Sequence, residues 1–285
     1  MRTVIFGNNY QDGNIDAIIA LIDNLRARGV QVTLESEFAQ YLAAQHPALV
    51  ALPVMHCGER ADADVALSLG GDGTFLTTVM WVAEQDIPIM GINMGHLGYL
   101  AAYSLDEAQQ AIDDLLTSNY TIERRSMLRA RCEGVEIAHP LALNDIAILR
   151  QDTSSMIEME TTLQGKPLTT YKGDGLVVCT PTGSTAYNLS AGGPILEPST
   201  RCMVLSPLSP HSLTMRPLVV PDDAVISITT HTRADSYRLS VDGEGFTCPA
   251  GSRVTIDRAP LTVQVIQRSD NHFARTLRHK LHWGS

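Results

Sequence analysis

Two carboxylates set among glycines carry the chemistry legible in this sequence. Asp72 lies within GGDGTFL, residues 70–76, and Asp174 opens GDGLVVCTPTGSTAYNLSAGG, residues 173–193. In the first stretch Gly70, Gly71 and Gly73 let the backbone approach phosphate oxygens and take up positive φ, both of which a Cβ obstructs. A carboxylate beside phosphates repels them unless it has work of its own. Asp72 can take a proton from an attacking hydroxyl or hold Mg²⁺, although a lone GGDG also fits a tight turn in which Asp72 caps the next helix. The second stretch adds hydroxyls, with Thr182, Ser184, Thr185 and Ser190 around a turn at Gly183. Hydroxyls and backbone amides at such a turn suit the polar edges of an adenine or nicotinamide ring, and a simple capped turn needs fewer of them. Asn144 and Asp145 form a polar pair inside the apolar segment 141–149. Burying such a pair costs stability unless something satisfies it, and ribose hydroxyls would; an edge-strand turn is the alternative. Acid, glycine and hydroxyl together suit a phosphorylated nucleotide held while one of its hydroxyls reacts.

The elements that must position these residues change in texture along the chain. The first part alternates strand and helix: 3–6 reads as a strand, and Ile15, Ile18, Ile19, Ile22 and Leu25 recur at helical spacing up to Gly29. Residues 30–34 return to strand and 39–44 to helix. Residues 65–69 form a strand running straight into GGDG, where open α/β sheets bind ligands and a helix N-terminus offers free N–H groups to an anion. A helical face of Leu76, Val79, Met80 and Ala83 follows, then a strand at 87–92. Ser104 and Glu107 have the spacing of a capping box before an apolar face of Ala108, Ala111, Ile112 and Leu115. This alternation predicts parallel βαβ units in an open sheet. From about residue 121 short strands with period-two alternation take over, at 141–149, 157–160, 176–180, 224–230, 237–241 and 261–266, interrupted by a helix near 184–191. Residues 273–281 read as a terminal helix packing back on the first part. The expected division is an α/β domain over 1–120, a β-rich domain over 121–268 and a tail over 269–285.

The bulk numbers narrow the class. With 44% hydrophobic and 18% charged residues, the chain can bury a core and is not of disordered composition. A formal net charge of −10 repels phosphate backbones, so nucleic acid is not an expected partner. The three lysines are Lys166, Lys172 and Lys280, and all other formal positive charge is arginine, which suits planar recognition of phosphate or carboxylate. Five cysteines (Cys57, Cys132, Cys179, Cys202, Cys248) form no CxxC pair, which points to free thiols in a reducing compartment and to neither disulfides nor zinc. The N-terminus MRTVIFGNNY lacks signal-peptide shape and no apolar run reaches membrane-spanning length, so a cytoplasmic protein without a membrane partner is expected.

Other phosphate-binding schemes do not fit. There is no GxxxxGK[ST], GINMGHLG has the wrong spacing for GxGxxG, and no HRD or DFG set exists. GGDGTFL, NMGHLGYL, LNDIAILR and above all KGDGLVVCTPTGSTAYNLSAGGPILEP resemble the NAD kinase family, as do SPLSPHSLTMRPLVV and VDGE, from about Leu67 onward. That resemblance implies a phosphofructokinase-like α/β N-terminal domain with an open, mostly parallel sheet, a β-rich C-terminal domain, and an active site in the cleft between them. It implies transfer of the terminal phosphoryl of ATP, or of polyphosphate, to the adenosine ribose 2′-hydroxyl of NAD, giving NADP. In its terms Asp72 is the base, with Gly73, Gly70 and Gly71 close to the phosphates. Asn144 and Asp145 hold the ribose hydroxyls, while Thr185, Ala186, Tyr187, Asn188, Leu189 and Ser190 line the ring pockets. Asp174 binds the nicotinamide amide end, Lys172 lies near it and blunts its preference for a cationic ring, Glu244 closes the site, and Ser155 stands where some relatives have histidine. The pair Asn144–Asp145 departs from the commoner Asn-Glu by one methylene. Mg²⁺ or another divalent cation comes with ATP, without a dedicated protein site, and homodimers or homotetramers are typical of the family. A lipid kinase shares GGDGT but gives the TPTGSTAY run no role; a dinucleotide sensor without activity would not need Asp72 among glycines.

Overall fold

The computed structural model describes residues 1–9, 12–46, 51–56, 58–95, 98–151 and 156–284; Cys57, His96, Leu97 and Ser155 lie outside the described residues. The chain divides into two compact units, residues 1–124 with 263–285, and residues 125–262.

In the first unit the alternation of buried runs and amphipathic segments produces β1 Arg2–Gly7, α1 Ile15–Ala27, β2 Gln31–Glu35, α2 Ser36–Gln45, β3 Val54–Met55, β4 Val65–Leu69, α3 Asp72–Val82, β5 Ile89–Asn93, β6 Tyr103–Ser104 and α4 Ala108–Thr117. The strands lie side by side in the order β5-β4-β1-β2-β3, all parallel, with β6 parallel to β5. Strand β4 is buried at every residue, as expected of a parallel strand covered on both faces. Ile5, Leu67 and Ile92 from the sheet meet Ile18, Ile22 and Leu25 of α1 and Ile112 and Leu115 of α4 in one core. The capping box forms: the Ser104 N–H donates to the Glu107 carboxylate at 3.0 Å. Helix α3 corrects the expected face. Its buried side is Thr74, Phe75, Thr78, Val79 and Val82, while Met80 is exposed and Leu76 only partly covered. The helix is apolar nearly all round, so periodicity alone misjudged its rotation.

The second unit is β-rich. Its elements are β7 Tyr120–Cys132, which starts in the first unit, β8 Leu141–Ala142, β9 Asp145–Leu149, β10 Ile157–Leu163, β11 Lys166–Gly173, β12 Gly175–Cys179, the short α5 Tyr187–Ser190, β13 Cys202–Leu208, β14 Leu218–Pro221, β15 Ile226–His231, β16 Ser236–Val241, β17 Glu244–Pro249 and β18 Arg253–Arg268, whose last six residues belong to the first unit. A six-stranded antiparallel sheet runs β14-β13-β12-β9-β16-β17. A second set runs β11-β10-β15-β18, also antiparallel, and β7 pairs with β18 and β8. Ile146, Ile148, Leu176 and Leu205 from the first set share a core with Ile157, Met159, Ile228 and Ile256 from the second. Segment 141–149 is not one strand: it breaks at Leu143 and Asn144, between β8 and β9. Segment 261–266 is the end of the 16-residue β18. After β18 the chain closes with α6 Phe273–Leu281, assigned to the first unit, none of whose residues is buried.

Candidate active site

In the first unit, β4 delivers the chain to Gly70 and Gly71, and α3 starts at once. Gly71 is the N-cap and contributes no side-chain cap, so Asp72 sits in the first helical turn with its carboxylate free to reach elsewhere. It reaches to segment 99–100: the Tyr99 N–H donates to Oδ2 at 2.8 Å and the Leu100 N–H to Oδ1 at 2.9 Å. Asp72 therefore does not cap its own helix. Two backbone amides fix the plane of the carboxylate, and each oxygen keeps a lone pair for a proton or a cation. Gly98 makes this approach possible, because a Cβ there would stand 3.0 Å from the Asp72 carboxyl carbon and closer still to Oδ1. The expected positive φ holds for Gly70 alone among the three motif glycines, with Gly71 at −83°. Gly70 is also required because a Cβ would overlap Thr74, whereas Gly71 and Gly73 have open space where a Cβ would stand.

In the second unit, the break in segment 141–149 builds a polar cradle. Asp242, at φ 47°, accepts the backbone N–H groups of Leu143 at 2.7 Å, Asn144 at 2.8 Å and Asp145 at 3.0 Å. From the other side the Thr180 N–H donates to the Asn144 carbonyl at 2.9 Å. Gly183 packs so closely on this backbone that a Cβ would stand 2.7 Å from the Asn144 Cα. Held this way, Asn144 presents an Oδ1 that is buried and has no hydrogen-bond partner. Beside it, the Asp145 carboxyl is pushed up to about 7 by burial and by the neighbouring Asp242, while the Tyr187 amide pulls the other way. Burial also pushes the Asp242 carboxyl up to about 6, against its three amide donors. Such a pair of enclosed carboxyls, raised in pKa, is a functional-site signature.

The hydroxyl run is more internal than its composition suggested. Ser184 is fully buried, donating to the Pro181 carbonyl at 2.7 Å and accepting the Leu196 N–H at 3.0 Å. Thr182 is buried and accepts from Arg125, and Thr185 donates to the Thr182 carbonyl at 3.3 Å. Asn188, expected in a ring pocket, is fully buried: its Nδ2 donates to the carbonyls of Ser184 and Pro194, and its Oδ1 accepts from Ser206. It is a scaffold residue, packed under Gly193. The exposed members are Tyr187, Leu189 and Ser190. Tyr187 and Ser190 line a recess of about 430 Å³ together with Arg150, Asp174 and Ser209.

Asp174 falls at the junction of β11 and β12. The cation beside it is Arg150, whose Nε lies 3.1 Å from Oδ1. Lys172, expected to blunt the charge of Asp174, instead pairs with Glu158 at 2.9 Å, because the β10–β11 register sets the two residues directly opposite each other. Glu244 is exposed and paired with His139 at 2.9 Å, so it does not join the Asn144–Asp145 cradle. The residue of VDGE that does is Asp242, missed in the sequence although an acid before glycine at a turn was its signal. The four described cysteines are free and buried, and no group of three His, Cys, Asp or Glu that could hold a metal occurs among the described residues.

Two family models and a number of known proteins match this chain. Residues 4–120 match the family model described as the ATP-NAD kinase N-terminal domain, and residues 143–268 the ATP-NAD kinase C-terminal domain. The chain is 40% identical to a protein named NAD kinase from Bacteroides fragilis, covering 100% of this chain and 99% of that one. It is likewise 40% identical to the NAD kinase of Porphyromonas gingivalis strain W83, covering 100% and 98%. In fold it is similar to yeast NADH kinase complexed with NADH, with a TM-score of 0.89 at 23% identity over 100% of this chain and 88% of the other. An NAD kinase from Archaeoglobus fulgidus in complex with ATP gives 0.75 at 24% identity over 99% of both chains.

Proposed function

This chain belongs to the NAD kinase family, and from that premise we propose how it phosphorylates NAD with ATP: Asp72 is the base for the adenosine ribose 2′-hydroxyl, and Asn144 and Asp145 hold that ribose. The observation that carries this reading is the buried, unpartnered Oδ1 of Asn144 beside the enclosed carboxyl of Asp145. A buried acceptor without a donor costs about 1–3 kcal/mol, and a ribose hydroxyl supplies the missing donor. Asp72 suits the base because its carboxylate is fixed by two amides yet keeps acceptor capacity on both oxygens. Phosphoryl transfer rests on positioning and charge neutralisation more than on covalent help, and positioning is what both groups supply.

The recess of Tyr187, Ser190 and Asp174 is our site for the nicotinamide end, with Arg150 setting its charge. Gly71 and Gly73, where the backbone is open to approach, face the donor phosphates in this reading. The divalent cation, Mg²⁺, arrives with ATP as part of the substrate. The remaining lone pairs of Asp72 are hard oxygen donors of the kind it accepts, and a chain of net charge −10 with three lysines leaves most neutralisation of the donor phosphates to it. A cytoplasmic homodimer or homotetramer completes the proposal. The test is purified protein with NAD and Mg·ATP, or polyphosphate in a parallel reaction, with NADP followed by an NADP-specific dehydrogenase. NADP formation from ATP supports the reading; labelled phosphate on lipid, with no NADP, overturns it.

A further inference from the structure

The two amides that hold Asp72 belong to a segment that is itself gripped from the C-terminal helix. The Lys280 ammonium donates to the Tyr99 carbonyl at 2.9 Å and to the Ala101 carbonyl at 2.6 Å, and lies 5.8 Å from the centre of the Tyr99 ring. The Tyr99 carbonyl and the Leu100 N–H are two ends of one peptide group. Lys280 binds its oxygen end, and Asp72 Oδ1 binds its hydrogen end at 2.9 Å. A cation at the carbonyl and a carboxylate at the N–H both lie favourably along the peptide dipole, so each strengthens the other's hydrogen bond. The second carbonyl bond, to Ala101, stops the segment from rotating about the first.

From this arrangement we infer that Lys280 is a positioning residue for Asp72, acting through the 99–100 peptide. The inference rests on the reading of Asp72 as the base. Helix α6 has no buried residue to dock it. Its start is tied by Asp270, which pairs with Arg268 at 3.0 Å and with Arg275 at 2.7 Å. Lys280 ties its end, and an ammonium spent on two backbone carbonyls holds that backbone as well as the helix. Every step of the chain from α6 to the carboxylate is a hydrogen bond within the first unit.

The test is a double-mutant cycle on the full chain. Lys280→Met removes the charge and both donors while keeping the apolar stem. It should lower kcat on the order of 10- to 100-fold, the scale of a base displaced by a fraction of an ångström to an ångström, with KM for NAD unchanged. Lys280→Arg, which returns a cation with several donors, should recover most of the loss. In an Asp72→Asn background, Lys280→Met should lower the residual rate no further, because the effect passes through Asp72. A role confined to tethering α6 predicts the opposite, an equal further loss in that background. The inference is overturned by that outcome, by wild-type kcat in Lys280→Met, or by a rise in KM at unchanged kcat. The premise fails separately if Asp72→Asn alone keeps wild-type kcat. Thermal melts of each variant identify any that do not fold, and Lys280→Arg then carries the comparison with wild type: unchanged KM with kcat at or near wild type upholds the inference, and a kcat as low as that of Asp72→Asn overturns it.

Discussion

Gly98→Ala isolates the geometry of the base without touching the base. The added methyl stands 3.0 Å from the Asp72 carboxyl carbon and 3.4 Å from its backbone nitrogen, and nearer than either to Oδ1. Ordinary carbon–carbon contact begins at about 3.5 Å. Relief by the carboxylate takes a shift of roughly 0.5–1 Å, which it cannot make while keeping amide bonds of 2.8 and 2.9 Å. Misplacement on the order of 1 Å costs about 10²-fold in rate, and each charged hydrogen bond weakened costs up to about 1.5–3 kcal/mol of stability. Steady-state kinetics should show kcat reduced on the order of 10²-fold with KM for NAD within about twofold of wild type, and calorimetry a lower Tm. A kcat equal to wild type, in a protein whose melt shows that the methyl was accommodated, would refute the claim that these two amides set the working position of Asp72.

Other substitutions test the rest of the site. Asp145→Asn should stabilise the fold in a pH-dependent way. Its carboxyl rises from an ordinary 3.8 to about 7 in the folded state, so the folded protein binds the proton more tightly than the unfolded chain, and stability falls as pH rises from about 4 to 7. At roughly 1.4 kcal/mol per pH unit that penalty reaches about 4 kcal/mol at most. Asp145→Asn should thus raise Tm at pH 8 and change it little at pH 4, while weakening NAD binding; an equal change at both pH values contradicts the cause given. Asn144→Leu removes the buried orphan acceptor, so Tm should not fall while KM for NAD rises about tenfold, the worth of one hydrogen bond; a large fall in Tm with unchanged KM would make Asn144 structural. Arg150→Gln uncovers the charge of Asp174, so the ratio of kcat/KM for NAD over NADH should rise several-fold, on the order of 1 kcal/mol, and an unchanged ratio removes Arg150 from that role.

The strand-to-helix step at GGDG, the parallel alternation and the capping box at Ser104 were legible because each is a local pattern of period and cap. The partners of Asp72 were not, since Tyr99 and Leu100 lie 27 and 28 residues further along the chain and bind through backbone amides, which every residue type carries. The break at Leu143 and Asn144 announced itself as one polar residue too many for a strand, but its cause, Asp242, lies almost 100 residues away in another turn. Composition misled most in the hydroxyl run. Ser184 and Asn188 are fully buried and spend their polar atoms on their own fold, and only side-chain direction distinguishes them from exposed Tyr187 and Ser190. A similar limit applied to Lys172: its type suggested a partner for Asp174, but the strand register sets it opposite Glu158 and leaves that place to Arg150.

The most direct measurement is single-turnover formation of NADP by Asp72→Asn with saturating Mg·ATP, together with its dissociation constant for NAD. With Asp72 as the base, NAD binds as in wild type and NADP forms about 10²- to 10⁴-fold more slowly. NADP formed at the wild-type rate by Asp72→Asn would contradict the account at its centre.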